Sequence, residues 1–319
     1  MFDVICALQK TLNKSAKKTI SDWFAPLPKE AAWHVISDYV FGNRERHDTA
    51  SFVLLLHHDK LETILGYIDN QAPVDIKKSR TASEGLIRYL SSPVAFSFTF
   101  VLDDGDNFLS TYAPVSEMVA GLEDLDNIAA SMACNSRDNS TYFLETQMRL
   151  RKFINDLKRK GNAKLSRQVF LVAAYVAVVL DYLDLATEPS SVSWISDRDA
   201  MLERHDGIIW DIASIMFYVI KGQRIASTSD HRINTIDKPK ILHIVPEKSG
   251  NNYLDPLIRM PDYLAAAASD MNLHTFEFSH PKLETIGYEC FSEAANSVLC
   301  SLSWTGQGFL VRRIARKKL

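Results

Sequence analysis

The chain has 319 residues, of which 46% are hydrophobic and 24% are charged, a composition typical of a folded protein with one large or two modest domains. The net charge of -3 does not indicate nucleic-acid binding by itself, so such a function has to depend on local basic patches. Four cysteines lie far apart without a Cys-x-x-Cys pair, which argues against a zinc ribbon or a disulfide framework and favours a cytoplasmic location.

The first third of the sequence predicts a helix, a proline-containing linker and the beginning of a sheet. Two alternating segments joined by a polar turn predict an antiparallel hairpin, and in a third strand Phe96, Phe98 and Phe100 share one face. The elements expected in order are helix 5–20, strands 33–41 and 51–58, helices 59–70 and 77–90, and strand 94–102.

The middle of the chain is predicted to be helical and its end mixed. The longest apolar run, Val169 to Leu180, is too short for the roughly 20 residues of a membrane span, so it predicts a buried helix, and neither an export signal nor a membrane partner is expected. The expected elements are helices 115–134, 142–160 and 165–186, strand 192–196, helix 208–221, strand 241–245, helix 256–270, and candidate strands 275–278, 297–304 and 309–314.

Five of these segments bring a carboxylate to the edge of an apolar stretch. The acids are Asp38, Asp103, the pair Asp197 and Asp199, Glu247, and Asp262. Because carboxylates far apart in sequence can meet at strand ends, and because divalent metals prefer hard oxygen ligands, this order predicts a metal site for phosphoryl chemistry. Each acid taken alone is better explained as a turn or helix-cap residue.

The order of elements and three short motifs resemble the ribonuclease H-like superfamily, in particular an uncharacterised bacterial branch whose first strand ends in Asp-Glu-Ser. The corresponding stretches are Ile36-Ser37-Asp38-Tyr39, Glu247-Lys248-Ser249-Gly250, and the helix around Ile258 to Ala267. The likeness extends over about 31–272. In this chain Tyr39 stands where the branch has glutamate.

The resemblance implies an α/β fold with a ribonuclease H-like mixed sheet, in which opening antiparallel strands are followed by parallel ones. It implies an N-terminal helix and linker over 1–28, a core over 29–272 with a helical insertion at about 112–188, and a small C-terminal extension over 273–319. It also implies metal ligation by Asp38 and Asp262, with Asp197 or Asp199 between them, supported by Glu247 or Lys248.

Three residues in or near this set have alternative interpretations. Asp211, which has apolar neighbours in sequence, either lines the same pocket or pairs with a buried arginine. His205 is either a proton shuttle or, as we expect, a surface histidine at a helix start. Asp262 itself either binds metal or caps a helix that Pro261 opens.

A basic stretch is the candidate nucleic-acid surface. Its residues on and just after one predicted helix are Arg149, Arg151, Lys152, Lys158 and Arg159. They can neutralise several phosphates, although a solvated helix face has the same pattern.

The sequence therefore predicts a nuclease that cleaves DNA or RNA by two-metal carboxylate chemistry with Mg²⁺ or Mn²⁺. The alternative is a catalytically inactive nucleic-acid-binding or sensor subunit of a bacterial defence or mobile-element system, with a possible partner protein. A small-molecule enzyme ranks last because no Gly-rich phosphate loop or Gly-x-Ser-x-Gly motif occurs. The sequence does not select DNA over RNA or an oligomeric state.

Overall fold

Two compact units make up the chain in the computed structural model, which describes residues 2–43, 45–103, 112–135, 137–159, 161–227, 241–244, 253–292 and 296–315. The sheet unit consists of Ala7–Phe108, Ala186–Arg198 and Leu242–Leu319, and the helical unit of Met1–Cys6, Leu109–Leu185 and Asp199–Ile241. The helical insertion predicted at about 112–188 falls mostly within the helical unit, which also includes residues after the fourth strand.

A seven-stranded mixed sheet has the order β5-β4-β1-β2-β3-β6-β7. β1, β2 and β3 pair antiparallel, whereas β4 pairs parallel to β1, and β6 pairs parallel to β3. The sequence prediction of an α/β fold with a mixed sheet and antiparallel opening strands is thus confirmed, whereas the last strand, β7, pairs antiparallel to β6. The strands are β1 Ala32–Val40, β2 Thr49–Leu56, β3 Ala95–Leu102, β4 Ser191–Ser196, β5 Ile241–Ile244, β6 Ser297–Trp304 and β7 Phe309–Ile314.

Helices account for most of the remaining described residues, and a short 3₁₀ turn lies at Arg137–Asn139. They are α1 Phe2–Ser15, α2 Lys17–Phe24, α3 Leu61–Gln71, α4 Glu84–Leu90, α5 Val115–Asn135, α6 Ser140–Lys158, α7 Ala163–Thr187, α8 Ala200–Glu203, α9 Ile208–Ser227, α10 Asp255–Asp270 and α11 Pro281–Cys290.

Each face of the sheet buries a different set of side chains because successive strand residues point to opposite faces. One face contains Ile36, Val53 and Ile195 and forms a single apolar cluster with residues of α3, α4, α10 and α11. On the other face, Trp33 of β1 and Phe96 of β3 contact the Trp23 and Phe24 rings of α2 at centroid distances of 5.1 to 6.2 Å.

Three predicted elements differ from the structure. The helix expected at 5–20 is divided into two helices, α1 and α2. The helix expected at 77–90 begins only at Glu84, because Ser83 accepts a hydrogen bond from the Leu86 N–H and caps it there. The candidate strand 275–278 is not a strand, and α11 follows it with Pro281 in its first turn. Residues 297–304 and 309–314 are strands as predicted, and they belong to the main sheet as β6 and β7.

The long apolar helix of the chain is α7. It is the one described helix with the length and composition of a membrane span, but 83% of its most apolar window is buried within the fold. The prediction of a buried helix at 165–186 is therefore confirmed. A mostly buried apolar helix is also common in the cores of soluble proteins, so α7 is only weak support for membrane insertion.

Candidate active site

Asp38 and Asp197 lie side by side at the carboxyl ends of two parallel strands. Ser37 of β1 pairs with Ser196 of β4, and the Asp197 N–H donates to the Ser37 carbonyl at 3.1 Å. The next residue along each strand is an aspartate, so both carboxylates project from the same face of the sheet on strands that are roughly 4.8 Å apart. This is the face that contacts α10.

Asp262 joins this pair from α10. The helix begins at Asp255, with Pro256 in its first turn, and Pro261 lies inside it. Asp262 is therefore two turns into the helix, and the alternative that it caps a helix opened by Pro261 is wrong. Its neighbours Met260 and Tyr263 belong to the apolar cluster against β1, and this packing explains why Asp262 is only 5% exposed.

The cluster contains carboxylate oxygens that lack hydrogen-bond partners. Among the described residues, neither Asp38 Oδ2 nor Asp262 Oδ1 is hydrogen bonded, and Asp38 is only 4% exposed. A buried charged oxygen without a donor costs free energy, so this arrangement is unfavourable unless a proton or a cation compensates it.

Burial, followed by the charges of nearby carboxylates, raises the pKa values of Asp38 and Asp262. For Asp38, burial is the main cause, followed by the charges of Asp262 and Asp197, and together they raise its pKa well above the usual range. Burial and then Asp75 raise the pKa of Asp262 to about 7. The nearby Lys77 lowers both pKa values without cancelling the effect of burial.

The loop after α3 supplies residues that sequence reasoning missed. Lys77 Nζ lies 3.8 Å from Asp262 Oδ1, and the Ile76 N–H donates to Asp262 Oδ2 at 3.4 Å. Lys282 of α11 fixes this loop by donating to the carbonyls of Ile76 and Ser79 at 2.7 and 2.8 Å. The Ser83-Glu84 capping signal could have revealed that Lys77 precedes the helix and belongs to a loop.

An open cleft of about 780 Å³ lies beside these acids. Asp197 and Asp262 line it together with one face of α3, the loop after α3, and the start of α10. Its lining contains six carboxylates, from Glu62, Asp69, Asp75, Asp197, Asp255 and Asp262. Its four cationic residues are Lys77, Lys78, Arg198 and Arg259. The cleft therefore has an excess of negative charge.

Two of these cations pair with acids of the same cleft. Arg259 donates to Asp69 at 2.6 Å, and Arg198 lies 3.6 Å from Asp255. At Asp38 and Asp262, Lys77 is the one cation among the causes that lower the pKa values, and hydrogen bonds from the Tyr39 and Ile76 N–H groups lower them further.

The other predicted acids have different surroundings. Asp199 belongs to the helical unit, where its carboxylate accepts the Met201 N–H at 2.9 Å and caps α8. Asp103 follows β3, and its N–H donates to the Leu302 carbonyl at 2.8 Å, consistent with a turn residue. Glu247 and Lys248 lie outside the described residues.

Four of the five predicted nucleic-acid-binding residues form ion pairs within the helical unit. Arg149 binds Asp211 through two hydrogen bonds of 2.7 and 3.1 Å, which confirms the alternative that Asp211 pairs with an arginine. The other pairs are Arg151 with Asp126 at 3.1 Å, Lys152 with Asp206 at 3.3 Å, and Lys158 with Glu123 at 2.8 Å. Arg159 is exposed at the end of α6.

The sequence predicts that His205 is a surface histidine, and this prediction is wrong. Its side chain is only 7% exposed, its ring lies 4.7 Å from the Phe153 ring, and Nε2 is 3.4 Å from Asp156 Oδ2. Burial, followed by the charge of Arg204, lowers the pKa of His205. The neutral ring therefore packs within the helical unit.

Within the described parts of the chain, no three or more His, Cys, Asp or Glu side chains are already arranged around a common metal position. Comparison with known proteins adds no assignment, because no family model, curated protein or solved structure matches the chain. Functional inference therefore depends on the geometry of the acids and of the cleft beside them.

Proposed function

We propose that the sheet unit is a ribonuclease H-like, metal-dependent nuclease that hydrolyses phosphodiester bonds of DNA or RNA by two-metal carboxylate chemistry. The observation that carries this proposal is the convergence of Asp38, Asp197 and Asp262 beside an open cleft, with buried oxygens that have no hydrogen-bond donor among the described residues. Such a group of acids is stable in its charged form only when a cation is present.

The arrangement of the elements supports the same assignment. The expected family order has antiparallel opening strands, a parallel fourth strand with an acid at its end, and a closing helix with another acid. In this chain the corresponding acids are Asp38 on β1, Asp197 after β4 and Asp262 on α10.

The carboxylates of this cluster are suitable ligands for Mg²⁺ or Mn²⁺. Carboxylate oxygens are the ligands these ions prefer, and Asp38 Oδ2 and Asp262 Oδ1 are available as ligands. Because the described residues contain no ready-formed group of three ligands, each ion would be held by one or two carboxylates and completed by water and a substrate phosphate. We therefore expect weak metal binding alone and tighter binding with nucleic acid.

A bound divalent ion would supply charge neutralisation and a water molecule of lowered pKa for hydrolysis. In this mechanism Asp38, Asp197 and Asp262 would hold the ion and orient its bound water, and the burial of Asp38 and Asp262 would keep bulk water away from their oxygens. Lys77 provides positive charge next to Asp262, where a phosphate oxygen can approach it.

The test is cleavage of single-stranded DNA, single-stranded RNA, duplex DNA and an RNA–DNA hybrid with Mg²⁺ or Mn²⁺. Asp38→Asn should abolish cleavage and leave the fold intact, because it removes charge from a crowded buried cluster. Asp103→Asn is the matched control, since it changes another strand-end aspartate outside the cluster, and it should retain activity. Wild-type protein that cleaves none of these substrates with either metal overturns the proposal.

A catalytically inactive nucleic-acid-binding or sensor subunit is the second candidate. The observation that favours it is the position of Lys77, which already offers Asp262 a counter-charge. Under this alternative the wild-type protein binds nucleic acid without cleaving it, and Asp38→Asn leaves that binding unchanged. We place either activity in the cytoplasm, in keeping with four free cysteines, all in described parts of the chain.

A further inference from the structure

The lining of the cleft includes an exposed aromatic ring. Tyr253 lines the cleft and is 57% exposed, and its hydroxyl donates to Glu62 Oε1 of α3 at 3.3 Å. The hydrogen bond holds the ring beside the first turn of α3 without covering it. An exposed aromatic ring in a cleft offers a π-face on which a base can stack.

One turn further along the same face of α3, the wall has no side chain. Gly66 lies in the middle of the helix, lines the cleft, and has nothing within 4 Å of the position that a Cβ would occupy. A glycine inside a helix reduces its stability relative to alanine, and here neither a positive φ nor a steric contact requires one. The space it leaves is where a ligand backbone can approach closely.

Electrostatics limits how a polyanion can enter. Because carboxylates outnumber cations in the lining, phosphate attraction alone cannot hold nucleic acid in this cleft. Binding requires a cation at the acids together with contacts that do not depend on charge, and Tyr253 and Gly66 provide such contacts.

We propose that the cleft binds a single-stranded segment of nucleic acid, with one base stacked on Tyr253 and the sugar-phosphate backbone passing over Gly66 toward Asp197 and Asp262. In a duplex, the faces of internal bases are covered by their neighbours, whereas single strands can splay bases onto an aromatic ring. A volume of about 780 Å³ also lies within the usual range of ligand pockets and suits a short unpaired segment. The inference rests on the proposed function and names its substrate class.

The experiment compares a short single-stranded oligonucleotide with a blunt duplex of the same sequence, in Mg²⁺, by fluorescence anisotropy and by initial cleavage rate. Tyr253→Ala should weaken single-strand binding by about ten-fold, the magnitude of one lost stacking contact, whereas Tyr253→Phe should not. Tyr67→Ala is the matched control, because Tyr67 is a similarly exposed tyrosine on α3 outside the cleft lining.

The second arm fills the space at Gly66. Gly66→Leu should reduce single-strand binding by at least ten-fold, while Gly66→Ala should raise the melting temperature and weaken binding to a smaller extent. Gly222→Leu is the matched control, because Gly222 is also a mid-helix glycine with open space around its Cβ position, but it lies in the helical unit. It should leave binding unchanged.

The outcomes separate the two proposals. One outcome is that the wild type cleaves single strand and duplex at equal rates, and that Tyr253→Ala and Gly66→Leu do not change the ratio of these two rates. This outcome overturns the single-strand inference and leaves the nuclease proposal standing. Selective single-strand binding that depends on Tyr253 but occurs without cleavage supports the inference and overturns catalysis. Absence of both binding and cleavage overturns both.

Discussion

Asp38 and Tyr39 are consecutive residues of β1 whose side chains lie on opposite faces of the sheet. Tyr39 shares a buried hydrogen bond of 2.8 Å with Ser37, and Ser196 donates to its hydroxyl at 3.2 Å. Ser37 in turn accepts the Trp194 N–H at 2.9 Å. Asp38 instead lies on the face that contacts α10. Tyr39 is thus part of a polar network on the face of β1 opposite Asp38.

This geometry predicts different results for two substitutions at position 39. Tyr39→Phe should leave metal binding and cleavage unchanged and reduce the free energy of unfolding by about 1 kcal/mol, because two buried serine hydroxyls lose a partner. Tyr39→Glu should destabilise the fold by about 3 kcal/mol or more, since it buries a carboxylate on the face opposite Asp38. Urea denaturation and Mn²⁺ titration measure these effects. Tighter Mn²⁺ binding by Tyr39→Glu would contradict the assignment of faces.

Lys77 should compete with a divalent cation at the acid cluster. Lys77→Met removes a positive charge 3.8 Å from Asp262, so we expect Mn²⁺ to bind about ten-fold more tightly at pH 8, as expected for one charge close to a dication. Lys78→Met is the matched control, because it removes an exposed lysine next in sequence that is not among the causes of the Asp38 or Asp262 pKa shifts.

Isothermal titration calorimetry without nucleic acid separates this effect from substrate binding. If Lys77→Met binds Mn²⁺ no more tightly than the wild type but binds oligonucleotide more weakly, then Lys77 contacts a phosphate instead of occupying the cation position.

Local pattern was sufficient for much of the sheet and for two of the clustered acids. Alternation identified β1 with Asp38 at its end, and Asp262 stood out because an acid in an apolar helical segment requires a partner. The Asp197/Asp199 pair could not be resolved from sequence, because only the parallel register of β1 and β4 shows which aspartate extends the strand next to Asp38.

The missed features depend on contacts between residues far apart in the chain. Lys77 lies close to Asp262 because Lys282, about two hundred residues later in the chain, donates to the Ile76 carbonyl and fixes the loop that contains Lys77. β6 pairs with β3 across a similar separation. The basic stretch around α6 followed from charge alone, whereas its partners Asp126, Asp206 and Glu123 come from other elements.

We expect the basic surface of α6, which contains Arg151 and Lys152, to make nucleic-acid binding depend on salt. Arg151 and Lys152 are paired with Asp126 and Asp206, yet their side chains are 61% and 64% exposed, and such surface pairs are weak enough for phosphates to replace the carboxylates. Arg151→Ala with Lys152→Ala should weaken nucleic-acid binding and reduce the salt slope by about 2, at roughly 0.9 per phosphate. Anisotropy titrations over a range of salt concentrations measure both quantities.

The matched variant for this surface is Asp126→Asn with Asp206→Asn, which frees the same two cations. It should tighten binding if the cations contact phosphate. If both double variants and the wild type bind nucleic acid with equal affinity and equal salt dependence, the α6 surface does not contact nucleic acid. The cleft of the sheet unit would then be the nucleic-acid site.

His34 predicts a pH dependence that can be isolated from that of the acids. It lies in β1, with Nδ1 2.5 Å from Ser193 Oγ and Nε2 3.0 Å from His57 Nδ1. Burial, and then the charge of His57, lower the pKa of His34 to about 4. An unfolded histidine takes up its proton near pH 6.5, so between about pH 6.5 and 4 the unfolded chain binds more protons than the native one.

The native state must therefore lose stability through His34 as the pH falls across this range, by at most about 3 kcal/mol at 1.36 kcal/mol per pH unit. The raised pKa values of Asp38 and Asp262 have the opposite effect, because they increase stability as the pH falls. The informative quantity is therefore the loss in free energy of unfolding between pH 6.5 and pH 4.5, measured by urea denaturation and compared between wild type and His34→Gln. We expect this loss of stability to be smaller in His34→Gln than in the wild type. The substitution His274→Gln, at an exposed histidine, should leave the loss unchanged. Equal losses in His34→Gln and wild type would mean that the native fold does not lower the pKa of His34.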